Sequence, residues 1–306
     1  MGRNLSLDIL KIILAFFVVF LHMNFLKESH PILSYMLVNG IFRLAVPVFL
    51  IITGYYFFHI DNKEKLKKWL FRTLLLYVVW MAIYYSFWKN TDDFLLTIIF
   101  GYHHLWYLIG TFFSGIILFY LRKLSSGVLM AIIAVLFLTG YCIQVLGNLH
   151  ILKNANDSLL NNYLMYRNFL FVCLPFLSIG FLINKEKASL SNIKYSSVWV
   201  FIGCVLVGLE AYLNYIFISH ENTDILLSLF FTSPILFLYA QKRYVKSSSK
   251  ILANLSTAIY FVHPFIMKSS WFVEIKSFKV LILISVLIPV SIVLVFINKN
   301  LNIFCS

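Results

Sequence analysis

The sequence predicts an all-α, polytopic membrane protein: a helix bundle of about ten transmembrane helices with both termini cytoplasmic. Three observations favour this fold class. Of the 306 residues, 61% are hydrophobic and 12% are charged, which is unlike a soluble domain. The apolar residues form runs of roughly 17–25, the length that crosses a bilayer as a helix. Most Lys and Arg residues lie in the short segments between these runs, where positive charge orients membrane proteins.

We expect ten spans, taken in chain order as 7–26, 36–58, 69–88, 104–121, 128–147, 167–183, 197–218, 224–240, 252–272 and 279–298. The sixth span is interrupted by Pro175, and the eighth is short and contains Pro234. The segment from Asp93 to Tyr102 is too short to cross. It is predicted to be a short interfacial helix or a re-entrant approach to the fourth span.

The distribution of basic residues predicts the orientation of the bundle. With the N-terminus in the cytoplasm, the inner segments hold 17 of the 25 Lys and Arg residues and the outer segments hold 7, while Arg43 lies inside the second span. Cytoplasmic segments carry such an excess of positive charge. The same split supports an even number of spans, so both termini are expected inside.

Composition also excludes several classes of protein. The net charge of +13 does not indicate nucleic-acid binding, because the basic residues are divided among short loops. The first apolar run is too long for a cleaved signal peptide and is expected to be an uncleaved anchor. We expect a single integral membrane domain over residues 1–306 and no metal site or disulfide framework, since the cysteines are scattered without CxxC spacing: Cys142, Cys173, Cys204 and Cys305.

The first span carries ionisable residues that a lipid-facing helix would avoid. Lys11 and His22 fall on one helical face, within roughly 20° of each other and ~16 Å apart along the axis, and Asp8 precedes them. Charged side chains are costly in a bilayer, so this face is expected to line protein or water. The alternative is that Lys11 reaches the headgroups and His22 bonds a neighbouring group.

Four further ionisable residues are expected near the depth of His22. They are Arg43 in the second span, His104 at the outer start of the fourth, Glu210 in the outer half of the seventh and His263 near the middle of the ninth. These groups can converge on one interior site, with Lys11 at its inner mouth.

Each of these groups also has a structural interpretation. Arg43 and Glu210 can pair to hold the bundle together. His104, with Trp106 and Tyr107 beside it, can belong to an interfacial aromatic belt. His263 precedes Pro264 in the chain and can bond carbonyl groups that a kink frees.

Residues at the outer and inner surfaces complete the candidate set. His103 and Tyr102 are expected to face water. The basic run from Lys63 to Arg72 is expected to bind anionic headgroups, and Arg72 in it is also a candidate for attracting a polyanionic cofactor.

Four motifs resemble the acyltransferase-3 family of integral membrane acyltransferases. The first is Asp8, Lys11 and, after ten intervening residues, His22. The second is Phe42-Arg43-Leu44-Ala45-Val46-Pro47-Val48-Phe49 with Thr53-Gly54-Tyr55 after it; the third is His104-Leu105-Trp106-Tyr107-Leu108; the fourth is Ser256 to His263. They occur in the family's order and cover nearly the whole chain. Lys11 stands where the family more often has Arg, and Thr53 where it usually has Ser.

The resemblance implies an O-acetyltransferase that modifies cell-surface carbohydrates in a bacterial inner (plasma) membrane. Acetyl-coenzyme A is then the acyl donor, and a carbohydrate, which can be lipid-linked, is the acceptor. Lys11, with Asp8 and Arg72, is predicted to hold the phosphates of the donor. His22 is predicted to be the general base, with Arg43 or His104 offsetting the oxyanion and Glu210 orienting a histidine or the acceptor.

A second class of function fits the same composition. Ten spans and buried charges also suit a transmembrane transporter of a lipid-linked glycan or of an acyl-carrying metabolite. Such a protein is expected to show inverted repeats and paired broken helices, and the sequence shows neither. The sequence therefore favours the enzyme.

Overall fold

A computed structural model describes residues 3–91, 93–191, 196–275 and 278–301, with side chains to residue 297. Nearly all of the described chain is helical, as the composition predicts. The helices, in chain order, are α1 (Leu5–His22), α2 (Pro31–Val38), α3 (Ala45–Phe57), α4 (Lys63–Ile83), α5 (Tyr85–Trp88), α6 (Phe94–Phe100), α7 (Trp106–Leu121), α8 (Ser126–Asn148), α9 (Ala155–Leu160), α10 (Tyr163–Tyr166), α11 (Leu174–Lys185), α12 (Lys187–Leu190), α13 (Ser197–Phe217), α14 (Leu227–Lys242), α15 (Ile251–Met267), α16 (Ser270–Val273) and α17 (Lys279–Leu301).

Helix occurs at each of the ten predicted spans. Within the described residues, six segments are long and apolar enough to cross a membrane: Leu5–His22, Pro31–Phe57, His103–Leu121, Ser126–Asn148, Ser197–Phe217 and Lys279–Ile297. Phe169–Lys185 and Ile251–Met267 are apolar but shorter, and α4 and α14 cover the remaining two predictions. The structure is thus an all-α, membrane-type bundle, while the count of ten spans and the side of the termini stay predictions.

Several predicted boundaries are corrected by local backbone geometry. The first helix ends at His22, not at residue 26, because Asn24 and Leu26 have φ values of 49° and 64°, outside the helical region. The second span is divided into α2 and α3 by a 3-10 turn at Ile41–Leu44. The short helix expected between residues 93 and 102 is confirmed as α6.

The ninth predicted span is divided as well. It ends as α15 at Met267, and α16 follows as a separate turn. A second 3-10 turn, His103–Leu105, precedes α7, and a π-helical turn, Phe169–Cys173, precedes α11. The two 3-10 turns place polar side chains inside the bundle, Arg43 in the first and His103 and His104 in the second.

The centre of the bundle is a close crossing of α3 and α11. A Cβ atom on Gly54 would lie 1.9 Å from the carbonyl oxygen of Leu177, and one on Gly180 would lie 2.1 Å from that of Ile51. Only glycine permits backbones to approach so closely, which is how membrane helices often pack. Around this crossing the core is aromatic and aliphatic, with Phe57, Phe137 and Phe176 almost wholly buried.

The start of α1 is tied to the segment after α14. Arg3–Asn4 and Lys246–Ser247 form a two-residue antiparallel pair. The Asn4 side chain accepts a hydrogen bond from the Ser6 amide, which caps α1, and its Nδ2 atom donates to the carbonyl oxygen of Gln241 at 3.0 Å. These bonds help to set the position of α1, and with it the position of His22 at the other end of the helix.

Candidate functional site

Four histidine rings from three parts of the chain meet inside the bundle. His22 is the last residue of α1, His103 and His104 lie in the turn before α7, and His263 lies in α15. The ring of His22 is 4.3 Å from that of His103 and 5.4 Å from that of His263, centroid to centroid. His104 is 5.5 Å from His263. We call these four residues the histidine cluster.

The environment of each ring differs within the histidine cluster. His104 and His263 are 2% and 0% exposed, and both ring nitrogens of His104 are buried with no hydrogen-bond partner in the part of the chain that the structure describes. Nδ1 of His263 lies 3.1 Å from the carbonyl oxygen of Ile259. Nδ1 of His263 thus bonds a carbonyl group one turn earlier in α15, and among the described residues Nε2 of the same ring is buried without a hydrogen-bond partner.

Tyrosine hydroxyls fasten the backbone around the cluster. The hydroxyl of Tyr260 donates to the carbonyl oxygen of His104 at 3.0 Å, and that of Tyr84 donates to the carbonyl oxygen of Phe261 at 2.7 Å. Tyr107 lies beside Tyr260, with ring centroids 5.9 Å apart, and its hydroxyl is 3.5 Å from Oγ1 of Thr53. Tyr107 therefore packs against Tyr260, which in turn holds the backbone of His104.

Arg43 pairs with an acidic residue, but the partner is Asp224 and not Glu210. The Arg43 guanidinium binds the Asp224 carboxylate directly, and the two side chains are 11% and 8% exposed. Nη2 of Arg43 also donates to Oδ1 of Asn39 at 3.1 Å. A second arginine, Arg167, approaches the same carboxylate at 3.5 Å.

Surrounding groups hold this carboxylate in place. Oε1 of Gln144 accepts hydrogen bonds from the amides of Asp224 and Ile225, both at 2.8 Å. The Arg167 guanidinium lies 4.4 Å above the Tyr163 ring and 5.4 Å from the Trp106 ring, within cation–π range. Trp106 thus contributes to the site itself and not only to an aromatic belt.

Glu210 is not brought to the histidine cluster. Its carboxylate accepts hydrogen bonds from the amides of Leu227 and Ser228 at 2.7 and 2.8 Å and from the hydroxyl of Ser228 at 2.5 Å. These are amides at the start of α14, which lack partners within their own helix. The predicted convergence of Glu210 with the histidines is therefore not observed. Its carboxylate instead caps the first turn of α14, which is a structural role.

Two cavities meet at the histidine cluster. The larger has a volume of about 1240 Å³ and is formed by segments that the charge distribution places on the outer side. The smaller holds about 60 Å³ and is lined by His104, Tyr260 and apolar side chains. The residues common to both linings form a shared wall: Leu21, His22, Arg43, Trp106, Arg167 and Asp224.

The predicted inner entrance is a small network of charges. The Asp8 carboxylate, 4% exposed, accepts a hydrogen bond from Nε of Arg3 at 2.6 Å, and Nζ of Lys11 lies 3.8 Å from its other oxygen. Arg72 lies on α4. Lys11, Asp8 and Arg72 line neither of the two cavities, so a passage from Lys11 to His22 stays a prediction.

The chemistry of the site was only partly visible in the sequence. Arg167 and Asp224 are the first residues of the predicted sixth and eighth spans, and ionisable residues at such positions are a signal of function or pairing. His103 is half-buried and lines the larger cavity, and its ring packs against that of His22, a contact that the sequence does not predict. That contact is produced by the turn before α7. In the sequence, Gly101 is the residue that indicates a turn there.

A helix bundle of this kind, with four histidines and a buried arginine–aspartate pair between two cavities, defines a multi-pass membrane protein with an interior polar site. The chain belongs to the acyltransferase-3 family: the model of that family, described as an acyltransferase domain, matches residues 4–298. The resemblance carried by the four motifs is thereby confirmed.

The chain is 23% identical over 291 residues to an amino-acid racemase of Enterococcus faecalis, which covers 87% of this chain and 41% of that protein. The chain therefore spans less than half the length of that relative. No solved structure matches the chain.

Proposed function

We propose that the protein is a membrane O-acetyltransferase. It transfers an acetyl group from cytoplasmic acetyl-coenzyme A to a hydroxyl group of a cell-surface or lipid-linked carbohydrate, with His22 as the general base, in a bacterial inner membrane. The observation that carries the proposal is the place of His22 in the wall shared by the two cavities. A base there is accessible to an acceptor in one cavity and to a thioester in the other.

The side chains around His22 suit acyl transfer. Among the described residues, no hydrogen bond occupies the ring nitrogens of His22, so the ring is free to accept a proton. As the acceptor oxygen attacks the thioester carbonyl, His22 takes the hydroxyl proton. The carbon–sulfur bond then breaks, and the leaving thiolate receives that proton from the imidazolium.

Arg43 and His104 are the candidates for stabilising the oxyanion that forms in this reaction. Arg43 lies in the same wall as His22, and His104 lines the smaller cavity. Both present hydrogen-bond donors that are already ordered by their surroundings, which is the arrangement that lowers the energy of a charged transition state. Asp224 holds Arg43 in place, and His263 supports His104 from the other side.

The larger cavity has the two kinds of surface that a lipid-linked sugar would need. Its lining includes amide and phenol groups, among them Asn161 and Tyr163, which suit hydroxyl groups. The same lining includes Phe100 and Phe113 with further apolar residues of α6 and α7. Other apolar residues of α6 are exposed at the surface of the bundle. These features support a lipid-linked acceptor.

The positive charge near the inner end of α1 supports binding of acetyl-coenzyme A from the cytoplasmic side. Lys11 is a compact cation on the helix that carries His22, and a separation of ~16 Å along that helix suits the long arm of coenzyme A. Asp8 offsets part of the Lys11 charge and fixes its position. Arg72 on α4 extends the basic surface that would attract the phosphates.

The test is acetyl transfer by the purified protein with substitutions at His22. Wild-type protein in lipid nanodiscs should move label from acetyl-coenzyme A to the membrane glycolipid fraction of the producing cells. His22→Ala should lower the rate by about 10²–10⁴-fold, while His59→Asn, which replaces an exposed histidine, should leave it unchanged. A folded His22→Ala protein with full activity would exclude the general-base role.

The same label separates two chemical routes. If the acetyl group passes through a covalent acyl-histidine, acetyl-coenzyme A without acceptor should leave label on His22. In direct transfer the protein remains unlabelled under those conditions, and label appears only in the glycolipid.

A further inference from the structure

The two adjacent histidines of the turn before α7 face different cavities. His103 lines only the larger of the two cavities, whereas His104 lines only the smaller. His22 lines both. The proposed acetyl transfer uses His22 and His104. It gives no role to His103, which lines the larger cavity proposed to hold the acceptor.

The backbone is held in an uncommon conformation to place His103 there. Its φ value is 53°, in the left-handed region, and Gly101 two residues earlier has φ 87°. A Cβ atom on Gly101 would lie 2.7 Å from the Trp106 amide nitrogen, so the turn folds tightly against the start of α7. Left-handed backbone costs a non-glycine residue roughly 1–2 kcal/mol, and such strain persists where surrounding contacts impose it.

The ring of His103 is directed at the base. Its centroid is 4.3 Å from that of His22, the shortest ring separation in the histidine cluster. Nδ1 of His103 is buried and, among the described residues, has no hydrogen-bond partner. The preceding Tyr102 accepts a hydrogen bond from Nζ of Lys268 at 2.7 Å, which fastens the turn to the end of α15.

We propose that His103 is a second acceptor-binding histidine, which rests on the acetyltransferase function proposed above. It holds the acceptor by a hydrogen bond to the hydroxyl next to the one that His22 deprotonates. Two imidazoles side by side in the wall of the acceptor cavity can contact neighbouring oxygen atoms of one sugar ring. His103 thereby selects acceptors with adjacent hydroxyl groups and orients the reacting one toward His22.

This role separates acceptor binding from chemistry. A neutral imidazole offers one donor and one acceptor, so it can bond a hydroxyl group in either direction. Loss of one such bond weakens binding by a factor of about ten. It leaves the proton transfer to His22 in place, and it leaves the donor on the other side of the shared wall untouched.

The experiment compares His103→Asn with wild-type protein in nanodiscs, with labelled acetyl-coenzyme A and a dilution series of the glycolipid fraction. Asparagine tolerates left-handed backbone, so the turn keeps its conformation and only the imidazole is lost. The apparent KM for the glycolipid should rise about tenfold, with kcat and the KM for acetyl-coenzyme A within about twofold of wild type. His59→Asn is the matched control and should change none of the three constants.

A second variant guards against a folding defect at this turn. His103→Gly also accepts the backbone conformation, and free imidazole added to it should lower the KM for the glycolipid again, which a purely structural role does not predict. An unchanged glycolipid KM in both variants, beside an active wild type, would overturn the role of His103 alone. An inactive wild type would overturn the acetyltransferase proposal and this one with it.

Discussion

At the scale of single residues, the site depends on buried charged groups that are paired with each other. Asp224 is the clearest case, because two arginines share its carboxylate while Gln144 holds its backbone. An arginine that loses its counter-charge inside a bundle is costly, and this cost usually exceeds the net contribution of the intact pair. Asp224 is therefore expected to matter for folding as well as for the site.

Asp224→Asn should destabilise the protein by about 3 kcal/mol, because it leaves Arg43 buried without its full counter-charge. Equilibrium unfolding in mixed detergent micelles measures the change. Asp61→Asn, which breaks the exposed pair with Lys65, is the control and should leave the unfolding curve unchanged. Equal stability of the two variants would show that the Arg43–Asp224 pair is not a structural requirement.

Glu210 gives a second prediction at this scale, and it separates a capping role from a catalytic one. Glu210→Ala removes the acceptor for two amides of α14 and should cost about 1.5–3 kcal/mol of unfolding free energy. Since its carboxylate is bonded to α14 and not to the histidine cluster, kcat per folded molecule should stay near the wild-type value. A large fall in kcat with normal stability would restore the orienting role that the sequence predicts.

At the scale of the elements, the crossing of α3 and α11 fixes the frame on which the site is built. The two helices meet through Gly54 and Gly180, and α3 continues the chain from the turn that carries Arg43. A change in the spacing of this crossing would therefore move the wall between the cavities.

Gly54→Ala should separate α3 from α11, because its Cβ atom would lie 1.9 Å from a backbone oxygen that has little freedom to move. We expect a loss of about 3 kcal/mol, at the upper end for overpacked interiors. Gly127→Ala is the matched control, since a Cβ atom there meets nothing within 4 Å, and it should raise stability by about 0.5–1 kcal/mol through helix propensity. Unfolding in detergent should rank the two variants in this order.

The loops that border the larger cavity supply a pH-dependent contact. Nδ1 of His150 lies 2.9 Å from the Asp157 carboxylate, and Nε2 lies 3.4 Å from that of Glu221, so the ring joins two loops that border the larger cavity. The hydrogen bond to Asp157, with the charge of Glu221, raises the pKa of His150 above its ordinary value of 6.5. The contact is therefore fully formed below about pH 6.5 and is lost as the pH rises through the raised pKa.

Amide hydrogen exchange measures the strength of that contact. Exchange in segments 150–161 and 219–223, corrected for the intrinsic rate, should be slower at about pH 6 than at about pH 8. His150→Gln should remove the difference between the two conditions. A difference of equal size in the variant would show that another group controls these loops.

At the scale of the whole molecule, the sequence predicted the architecture well and the site in part. Apolar runs determine where helices form in a membrane, so helix was found at every predicted span, and ionisable residues inside those runs pointed to His22 and His263. The partners of Arg43 were not predictable in this way. Asp224 is 181 residues away in the chain, and its approach depends on how α13 and α14 pack, which a linear pattern does not contain.

The predicted orientation is tested by reporters fused at chosen points. Alkaline phosphatase, which is active only outside the cytoplasm, should be active when fused after residue 153 and inactive when fused after residue 187. Fluorescent protein joined to the C-terminus should be fluorescent if that terminus is cytoplasmic. The opposite result at either internal position would show that the bundle has the opposite orientation, with the larger cavity on the cytoplasmic side.

The wall shared by the two cavities also suggests how the enzyme could be inhibited. Under the proposed acetyl transfer, a single compound with a coenzyme A-like arm on one side of His22 and a sugar on the other would contact both halves of the site at once. Joining two weak ligands makes the second contact intramolecular, so such a bisubstrate molecule gains affinity from the linkage itself. The length of its linker, which must pass the ring of His22, would be the first quantity to optimise.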